Sequence, residues 1–246
     1  MKVQVGGGFV AVAPAITADG EALRRRATLR PRTRALVVLH EGEDVNGRLV
    51  QSVSRLRSEP VIARAQSGEA LPDPATFRLA VLVGSASFAD ALASGQLASE
   101  VEWIRQADAA GTAVFGIGHG ARALAYAFGG AIDPAPDPHR GWTLVETTVP
   151  HRIAAGPWLA WQHDVITLPD GAEVLAGNRL GPQAFRIGHH VGVQFHPEAT
   201  VNAIRRWARG SASDSGAWPL IDVLQPDPGA AEVRSRRLIE GFAAAV

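Results

Sequence analysis

The sequence predicts an α/β protein with a mainly parallel, twisted sheet flanked by helices and a smaller antiparallel β portion in its second half. Between residues 35 and 128, short apolar runs of strand length alternate with segments whose apolar residues recur at helical spacing. One of these runs leads directly into a glycine-rich turn and a helix at Gly116–Gly120. Beyond residue 143, short strand patterns follow one another with Gly, Pro and Asp between them.

The first half is predicted in detail, because strands that alternate with helices form right-handed crossovers in one parallel sheet. Ligands bind such sheets beyond the carboxyl ends of the strands, so Gly84–Ser87 and Gly116–Gly120 are expected to face one site. The predicted elements are the strand Ala35–Leu39, the helix Asn46–Arg57, the strands Val61–Ala63 and Leu79–Val83, the helix Glu100–Ala110, the strand Ala113–Phe115 and a helix from the Gly116–Gly120 turn to about Phe128.

In the second half, the predicted strands are Thr143–Thr148, Glu173–Ala176, Ala184–Ile187 and Val191–Phe195, and the predicted helices are Val201–Arg209 and Ala230–Ala245, with a loop over Ser211–Pro228. Residues 35–246 are expected to form a single domain. Residues 1–34 read as an N-terminal extension, with a strand or strand pair within Val3–Pro14. The arginine-rich stretch Glu21–Arg34 is typical of a solvated face or linker.

Composition narrows the classes of function. Lys plus Arg and Asp plus Glu number 24 each among 246 residues, so the formal net charge is zero. Nucleic acid and anionic membranes attract a basic excess, so neither is expected as a partner. The chain has no cysteine, which excludes disulfides, thiolate metal sites and a cysteine nucleophile. Neither a signal-peptide pattern nor a long apolar stretch is seen, so a cytoplasmic protein is expected.

The segment around Gly116–Gly120 has the architecture of a nucleophile elbow. Glycines on both sides permit a sharp turn, and the following helix N-terminus supplies backbone N–H groups for an oxyanion. The central residue is Gly118, which has no side chain and cannot attack a substrate. The turn alone is equally compatible with a plain glycine-rich connection that binds phosphate through its amides.

A second candidate segment ends the last predicted strand. There, Val191–Glu198 reads Val-Gly-Val-Gln-Phe-His-Pro-Glu, which places His196 two residues before Glu198. A histidine held by a carboxylate suits a general base. On its own the pair is weak evidence, because most histidines are simply packed or solvated.

Together, the two segments resemble the class I glutamine amidotransferase family, and within it the stand-alone members similar to the amidotransferase part of GMP synthase. The family pattern is Gly-Ile-Cys-x-Gly-x-Gln-Leu-Leu-Ala, then Gly-Gly, then Gly-Val-Gln-Phe-His-Pro-Glu. The resemblance covers roughly residues 35–209 and implies a flavodoxin-like fold. The matching segments here are Gly116–Ala125, Gly129-Gly130, Gly141-Trp142, Trp161–Asp164, Leu168–Ala172 and Gly192–Glu198.

The resemblance implies roles for individual residues. His196 and Glu198 would be the base and its orienting carboxylate, and the loop at Gly84 would face the substrate. The backbone N–H groups of Ser85 and His119 would form the oxyanion hole. The family's cysteine falls at Gly118, and its glutamine-recognising residue falls at Arg122.

Both of the last two positions, Gly118 and Arg122, depart from the family. A covalent intermediate needs a side-chain nucleophile, so the glycine removes thioester chemistry. A guanidinium prefers a carboxylate or phosphate over a neutral amide, so the arginine favours a glutamate-like or anionic ligand. An engineered Cys→Gly change would explain Gly118 but not the arginine.

Two functions stay open on the sequence alone. One is a non-thiol hydrolase or transferase acting on a glutamine-derived, γ-glutamyl or other small anionic amide, in which His196 activates water. The other is a non-catalytic pseudoenzyme that binds a small ligand or a partner as a regulator or scaffold. Ser85, Ser87 and His119 are outside candidates for a part in the chemistry.

Several further expectations concern ligands and partners. No cofactor and no metal ion are expected. A zinc site formed by His119, His196 and Glu198 is a minor alternative. His163 lies in a segment similar to the family and is a candidate for the pocket lining. His189 and His190 are expected to lie in a solvated turn, and His40 is expected to have a structural role. By resemblance to the family, the chain would form a homo-oligomer or bind a synthetase partner.

Overall fold

A computed structural model describes residues 2–5, 8–11, 34–40, 43, 47–55, 60–65, 70–84, 91–92, 95–210 and 227–245. The chain divides into two compact units, Met1–Arg32 and Thr33–Val246. In the first unit, strands β1 (Lys2–Val5) and β2 (Gly8–Ala11) pair in antiparallel fashion. Most of the arginine-rich stretch lies outside the described residues, and so does nearly all of the loop predicted over residues 211–228.

The second unit contains the elements that carry the candidate site. Its helices are α1 (Arg48–Ser54), α2 (Gln96–Ala109), α3 (His119–Ala127), α4 (Val201–Gly210) and α5 (Pro228–Ala245). Its strands are β3 (Ala35–Leu39), β4 (Val61–Arg64), β5 (Leu79–Gly84), β6 (Ala113–Gly118), β7 (Ala131–Thr143), β8 (Glu146–Thr147), β9 (Trp158–Thr167), β10 (Glu173–Asn178), β11 (Gly181–Ile187) and β12 (His190–Val193).

Eight of these strands form one sheet in the order β4-β3-β5-β6-β12-β11-β10-β8. The neighbours from β4 to β12 pair in parallel, whereas β11, β10 and β8 continue the sheet in antiparallel fashion. Strands β7 and β9 form a separate antiparallel pair. The predicted fold class is therefore confirmed.

The central parallel strands β3, β5 and β6 are apolar along their whole length because helices cover both faces of the sheet. In β3, Leu36 and Val38 pack in a core with residues of α2 and α3, whereas Val37 and Leu39 pack in a second core with residues of α1 and α5. Alternate side chains of a strand point to opposite faces, so five consecutive apolar residues serve two cores. A third cluster joins β9 to α4.

Most predicted elements of the first half have the expected position, with changes at their ends. Helix α2 begins at Gln96, four residues before the predicted start, and α1 runs only from Arg48 to Ser54. Strand β6 extends three residues further than predicted, to Gly118. At the other end of the chain, α5 begins at Pro228, a residue that the prediction assigned to a loop.

The strand pair β7 and β9 was missed by the sequence prediction, which placed a strand at Thr143–Thr148 instead. Strand β7 contains three prolines between residues 133 and 139, and prolines are unusual in strands because they cannot donate a ladder hydrogen bond. The pair accommodates them through a register shift between Pro134 and His139. The predicted strand survives only as the two-residue β8. Across the described part of the chain, none of the helices has the length and apolar character needed to cross a membrane.

Candidate active site

The elbow connects β6 to α3, with Gly118 as the last strand residue and His119 as the first helical one. Gly118 has φ +57° and ψ −109°, a backbone conformation that L-residues rarely adopt and that glycine reaches without strain. In the register between β5 and β6, Gly84 lies directly opposite Gly118. The structure therefore brings together the ends of the two strands that the sequence predicts to face one site.

No side chain extends from Gly118, and little room exists for one. A Cβ atom on Gly118 would lie 2.5 Å from the Gly84 carbonyl oxygen, 2.5 Å from His196 Cε1 and 2.9 Å from His196 Nε2. The imidazole thus reaches the place where a nucleophilic side chain would begin.

The His196–Glu198 pair follows β12, and both side chains are buried. His196 Nδ1 lies 2.6 Å from Glu198 Oε1. A carboxylate can only accept a hydrogen bond, so the ring proton belongs on Nδ1 and Nε2 carries the lone pair. His196 Nε2 has no hydrogen-bond partner among the described residues. The geometry presents a base to the elbow.

Helix α4 holds the imidazole from the side. The ring of Trp207 lies 4.8 Å from the ring of His196, and its Nε1 donates a hydrogen bond to Glu43 Oε1 at 3.1 Å. The backbone N–H of His196 donates to the Leu159 carbonyl of β9 at 2.8 Å. Helix α4 and strand β9 therefore both fix the position of the base.

Arg122 lies in α3 with no exposed surface. Its Nε atom is 3.3 Å from Asp164 Oδ2 of β9, in a buried ion pair. Burial lowers the pKa of Arg122, and the Asp164 carboxylate opposes this shift. Part of the positive charge that the sequence assigns to ligand recognition is therefore compensated within the protein.

His119 turns away from the His196–Glu198 pair and joins a second buried group. Its Nε2 lies 2.8 Å from Glu100 Oε2, and His40 Nε2 lies 3.1 Å from the same oxygen. His119 therefore lies in a different cluster from His196 and Glu198. The zinc site that these three residues were expected to form, as a minor alternative, is wrong. Glu100 was missed as a candidate site residue, although it is the first residue of the predicted helix.

His163 and Gly84 are the remaining predicted site residues that the structure describes. His163 contacts the Arg140 guanidinium at 3.2 Å through Nε2, and the Arg140 guanidinium lies 4.9 Å from the centre of the Trp161 ring. Gly84 ends β5 beside the elbow. Ser85 and Ser87 lie outside the described residues, so their proposed roles stay predictions.

The prediction of a solvated turn at residues 189–190 is half wrong. His189 is exposed, but His190 is buried. His190 Nδ1 accepts a hydrogen bond from the Val114 N–H at 3.0 Å, and Nε2 lies 3.1 Å from Asp108 Oδ1. Burial lowers the pKa of His190, while the hydrogen bond to Asp108 opposes the shift. This histidine ties β12 to β6 and α2.

A small pocket, partly open to solvent, lies next to the dyad of His196 and Glu198 on its carboxylate side. Glu198 lines it, together with Glu43, Arg48 and Arg206, whereas His196 and Gly118 do not. Charges of both signs thus border an opening beside the dyad.

Comparisons with known proteins agree with this arrangement. A sequence model of the family "Glutamine amidotransferase class-I" matches residues 45–206, which include the elbow and the His196–Glu198 pair. The chain therefore belongs to the class I glutamine amidotransferase family. No curated protein sequence matches the chain.

Solved structures support the same fold. A glutamine amidotransferase from Methylobacillus flagellatus superposes with a TM-score of 0.68 at 18% identity, covering 87% of this chain and 93% of that one. One from Thermotoga maritima gives 0.65 at 22% identity, covering 88% and 96%. A putative GMP synthase subunit from Thermoplasma acidophilum gives 0.56 at 22% identity, covering 70% and 91%.

Proposed function

We propose that this chain is a class I amidotransferase homologue that hydrolyses a γ-glutamyl or other small anionic amide or ester without a thiol, with His196 as general base. The observation that carries the proposal is the position of His196 Nε2. This atom bears a lone pair and points to the site above Gly118 where family members carry their nucleophile. A water molecule bound by His196 near this site would replace the missing thiol.

The chemistry needs only water and the substrate. His196 Nε2 removes a proton from the water as its oxygen attacks the carbonyl carbon, which gives a tetrahedral intermediate. The bond from carbon to the leaving nitrogen or oxygen then breaks, and the imidazolium returns its proton to the leaving group. Glu198 keeps the ring in the required tautomer and stabilises the imidazolium.

The elbow supplies the second component of the proposal. The backbone N–H of His119 is the first of helix α3, and unpaired N–H groups at a helix N-terminus stabilise negative charge. Because glycine adopts the sharp turn at Gly118 without strain, the turn that places this N–H persists without a nucleophile. The N–H of Ser85 is the proposed second donor.

The proposed substrate class follows from the family and from Arg122. The superposed proteins carry the name glutamine amidotransferase, which suggests a γ-glutamyl group. Arg122 occupies the family's glutamine-recognising position, and a guanidinium favours an anion there. Arg122 has no exposed surface and pairs with Asp164, so it would favour an anion through its electrostatic field and not by direct contact, and a singly charged small molecule fits better than a polyanion.

The test is release of ammonia, amine, alcohol or glutamate from glutamine and a panel of γ-glutamyl amides and esters. We expect wild-type protein to turn over at least one member. His196→Ala should lower that turnover by about 10²–10⁴-fold, the usual contribution of a positioned general base. The matched control is His189→Ala, because this exposed histidine directly precedes β12, the strand that leads to the dyad.

Interpretation requires that both variants keep the wild-type circular dichroism spectrum. Turnover that survives His196→Ala would overturn the assignment of this residue as the base. Equal losses in His189→Ala would show that the effect comes from the fold and not from the dyad.

One observation favours binding without catalysis as a second candidate function. The small pocket beside Glu198 is bordered by Arg48 and Arg206 as well as by carboxylates, so a charged group of a small zwitterion or anion could bind at its opening. Under this alternative, glutamate would raise the melting temperature while no member of the panel is hydrolysed. Turnover that depends on His196 excludes it.

A further inference from the structure

Three buried side chains from three elements converge behind the elbow, outside the His196–Glu198 dyad. His40 follows β3, Glu100 lies in α2, and His119 begins α3. None is more than 5% exposed. The ring nitrogens Nε2 of both histidines point to one carboxylate oxygen, Glu100 Oε2, at 3.1 Å and 2.8 Å.

The hydrogen bond on the other side of His40 sets the state of its ring. His40 Nδ1 lies 2.8 Å from the Val83 carbonyl oxygen, which can only accept, so Nδ1 carries a proton. In the neutral ring, Nε2 then presents its lone pair to Glu100 Oε2. Two electron-rich atoms facing each other at 3.1 Å need a cation between them. That cation is either a proton or a metal ion.

Two further polar atoms of the cluster, Glu100 Oε1 and His119 Nδ1, are buried without a hydrogen-bond partner among the described residues. Buried polar atoms in this state commonly mark an ion or a water molecule.

Distances within the cluster come close to those of a metal site. At metal–ligand distances of about 2.0–2.1 Å and a tetrahedral angle, two ligand atoms lie roughly 3.3–3.4 Å apart. The separations of 2.8 Å and 3.1 Å from Glu100 Oε2 to the two Nε2 atoms are shorter than this, so the three side chains would move slightly apart when an ion binds. Metal-ligating histidines typically donate their other ring N–H to a backbone carbonyl or carboxylate, as His40 does to Val83.

We propose that His40 Nε2, Glu100 and His119 Nε2 form a binding site for one divalent transition-metal ion. Two imidazoles and one carboxylate are a ligand set that zinc and non-haem iron use in proteins. The nearby charge of Arg122 opposes cation binding, and its ion pair with Asp164 reduces this effect. Because His119 begins the helix that follows the elbow, a bound ion would fix the position of this residue. The test of the metal site does not depend on the proposed hydrolysis, because it measures binding and not turnover.

A second histidine cluster offers an internal control. Asp108, His189 and His190 also lie close enough together to hold an ion. However, His190 Nδ1 accepts from the Val114 N–H, so its proton is on Nε2 and bonds directly to Asp108. No cation is required between these atoms, and a metal at Nε2 would break the bond to Val114.

The experiment uses the untagged chain, stripped with a chelator, dialysed and titrated with Co²⁺ and Zn²⁺. We expect one equivalent of each metal to bind, with d–d absorption from Co²⁺ in a nitrogen and oxygen environment. Glu100→Gln keeps the size of the side chain and should weaken binding about 100-fold or more. His119→Gln should do the same, whereas Asp108→Asn should bind as wild type does.

Wild-type protein that binds neither metal would overturn the proposal and assign the cluster to a protonated His40 that pairs with Glu100. Binding that persists in Glu100→Gln, or that is lost in Asp108→Asn alone, would place the ion elsewhere and also overturn it. Circular dichroism of each stripped variant shows whether the fold is retained. Because wild-type stoichiometry is measured directly, misfolding of one variant does not remove the test.

Discussion

Replacing Asp164 by asparagine should lower the free energy of unfolding by about 3–5 kcal/mol, because the substitution leaves a buried guanidinium without its carboxylate partner. Arg122 has no exposed surface, and its Nε lies 3.3 Å from Asp164 Oδ2. Water cannot replace the lost carboxylate at such a depth. Urea denaturation of the wild type and the variant measures the difference.

Two variants separate the charge effect from other causes. Glu173→Gln removes a carboxylate from the exposed pair with Arg186 and should cost at most about 1 kcal/mol. The double variant Arg122→Leu with Asp164→Leu removes both buried charges and should recover much of the loss. A cost below about 1 kcal/mol for Asp164→Asn, the level of an exposed pair, would show that the pair is not isolated from solvent.

The substitution Gly120→Ala should destabilise the protein by about 3 kcal/mol or more, the upper end for an overpacked core. Gly120 lies in the first turn of α3, where the helix packs directly against Leu82 of β5. A Cβ atom there would overlap the Leu82 carbonyl oxygen and lie 2.8 Å from its carbon. Backbone atoms within a parallel sheet cannot move aside without loss of ladder hydrogen bonds.

Gly241→Ala is the matched control because Gly241 is also helical, in α5. A Cβ atom at that position meets nothing within 4 Å. Alanine favours a helix over glycine, so this change should stabilise the protein by about 0.5–1 kcal/mol. Opposite signs for the two substitutions are expected in thermal denaturation. Equal effects would contradict the close approach of α3 to β5.

The parallel half of the sheet was predicted well because its strands are uninterrupted apolar runs. Ala35–Leu39 and Leu79–Val83 differ from the observed strands by at most one residue. The pair β7 and β9 escaped prediction because the three prolines of β7 hide the strand pattern, and only the register shift near Pro134 allows pairing.

In the candidate site, too, a contact within a short motif could be predicted, whereas contacts between residues far apart in the chain could not. The contact between His196 and Glu198 could be expected because both residues lie in one short motif, although their catalytic role stays a prediction. The ion pair of Arg122 with Asp164 and the cluster around Glu100 join residues that lie 19 to 60 positions apart. No local pattern encodes such contacts, which arise only when the strands and helices pack.

The site should hydrolyse its substrate by direct attack of water, without a covalent intermediate at Gly118 or elsewhere. Intact-mass spectrometry of the wild-type protein, quenched during turnover of the best γ-glutamyl ester, tests this most directly. We expect product to accumulate at a rate that depends on His196 while the protein mass stays unchanged. An acyl adduct on the chain, at Ser85 or Ser87 for example, or no turnover above that of His196→Ala, would contradict direct attack by water.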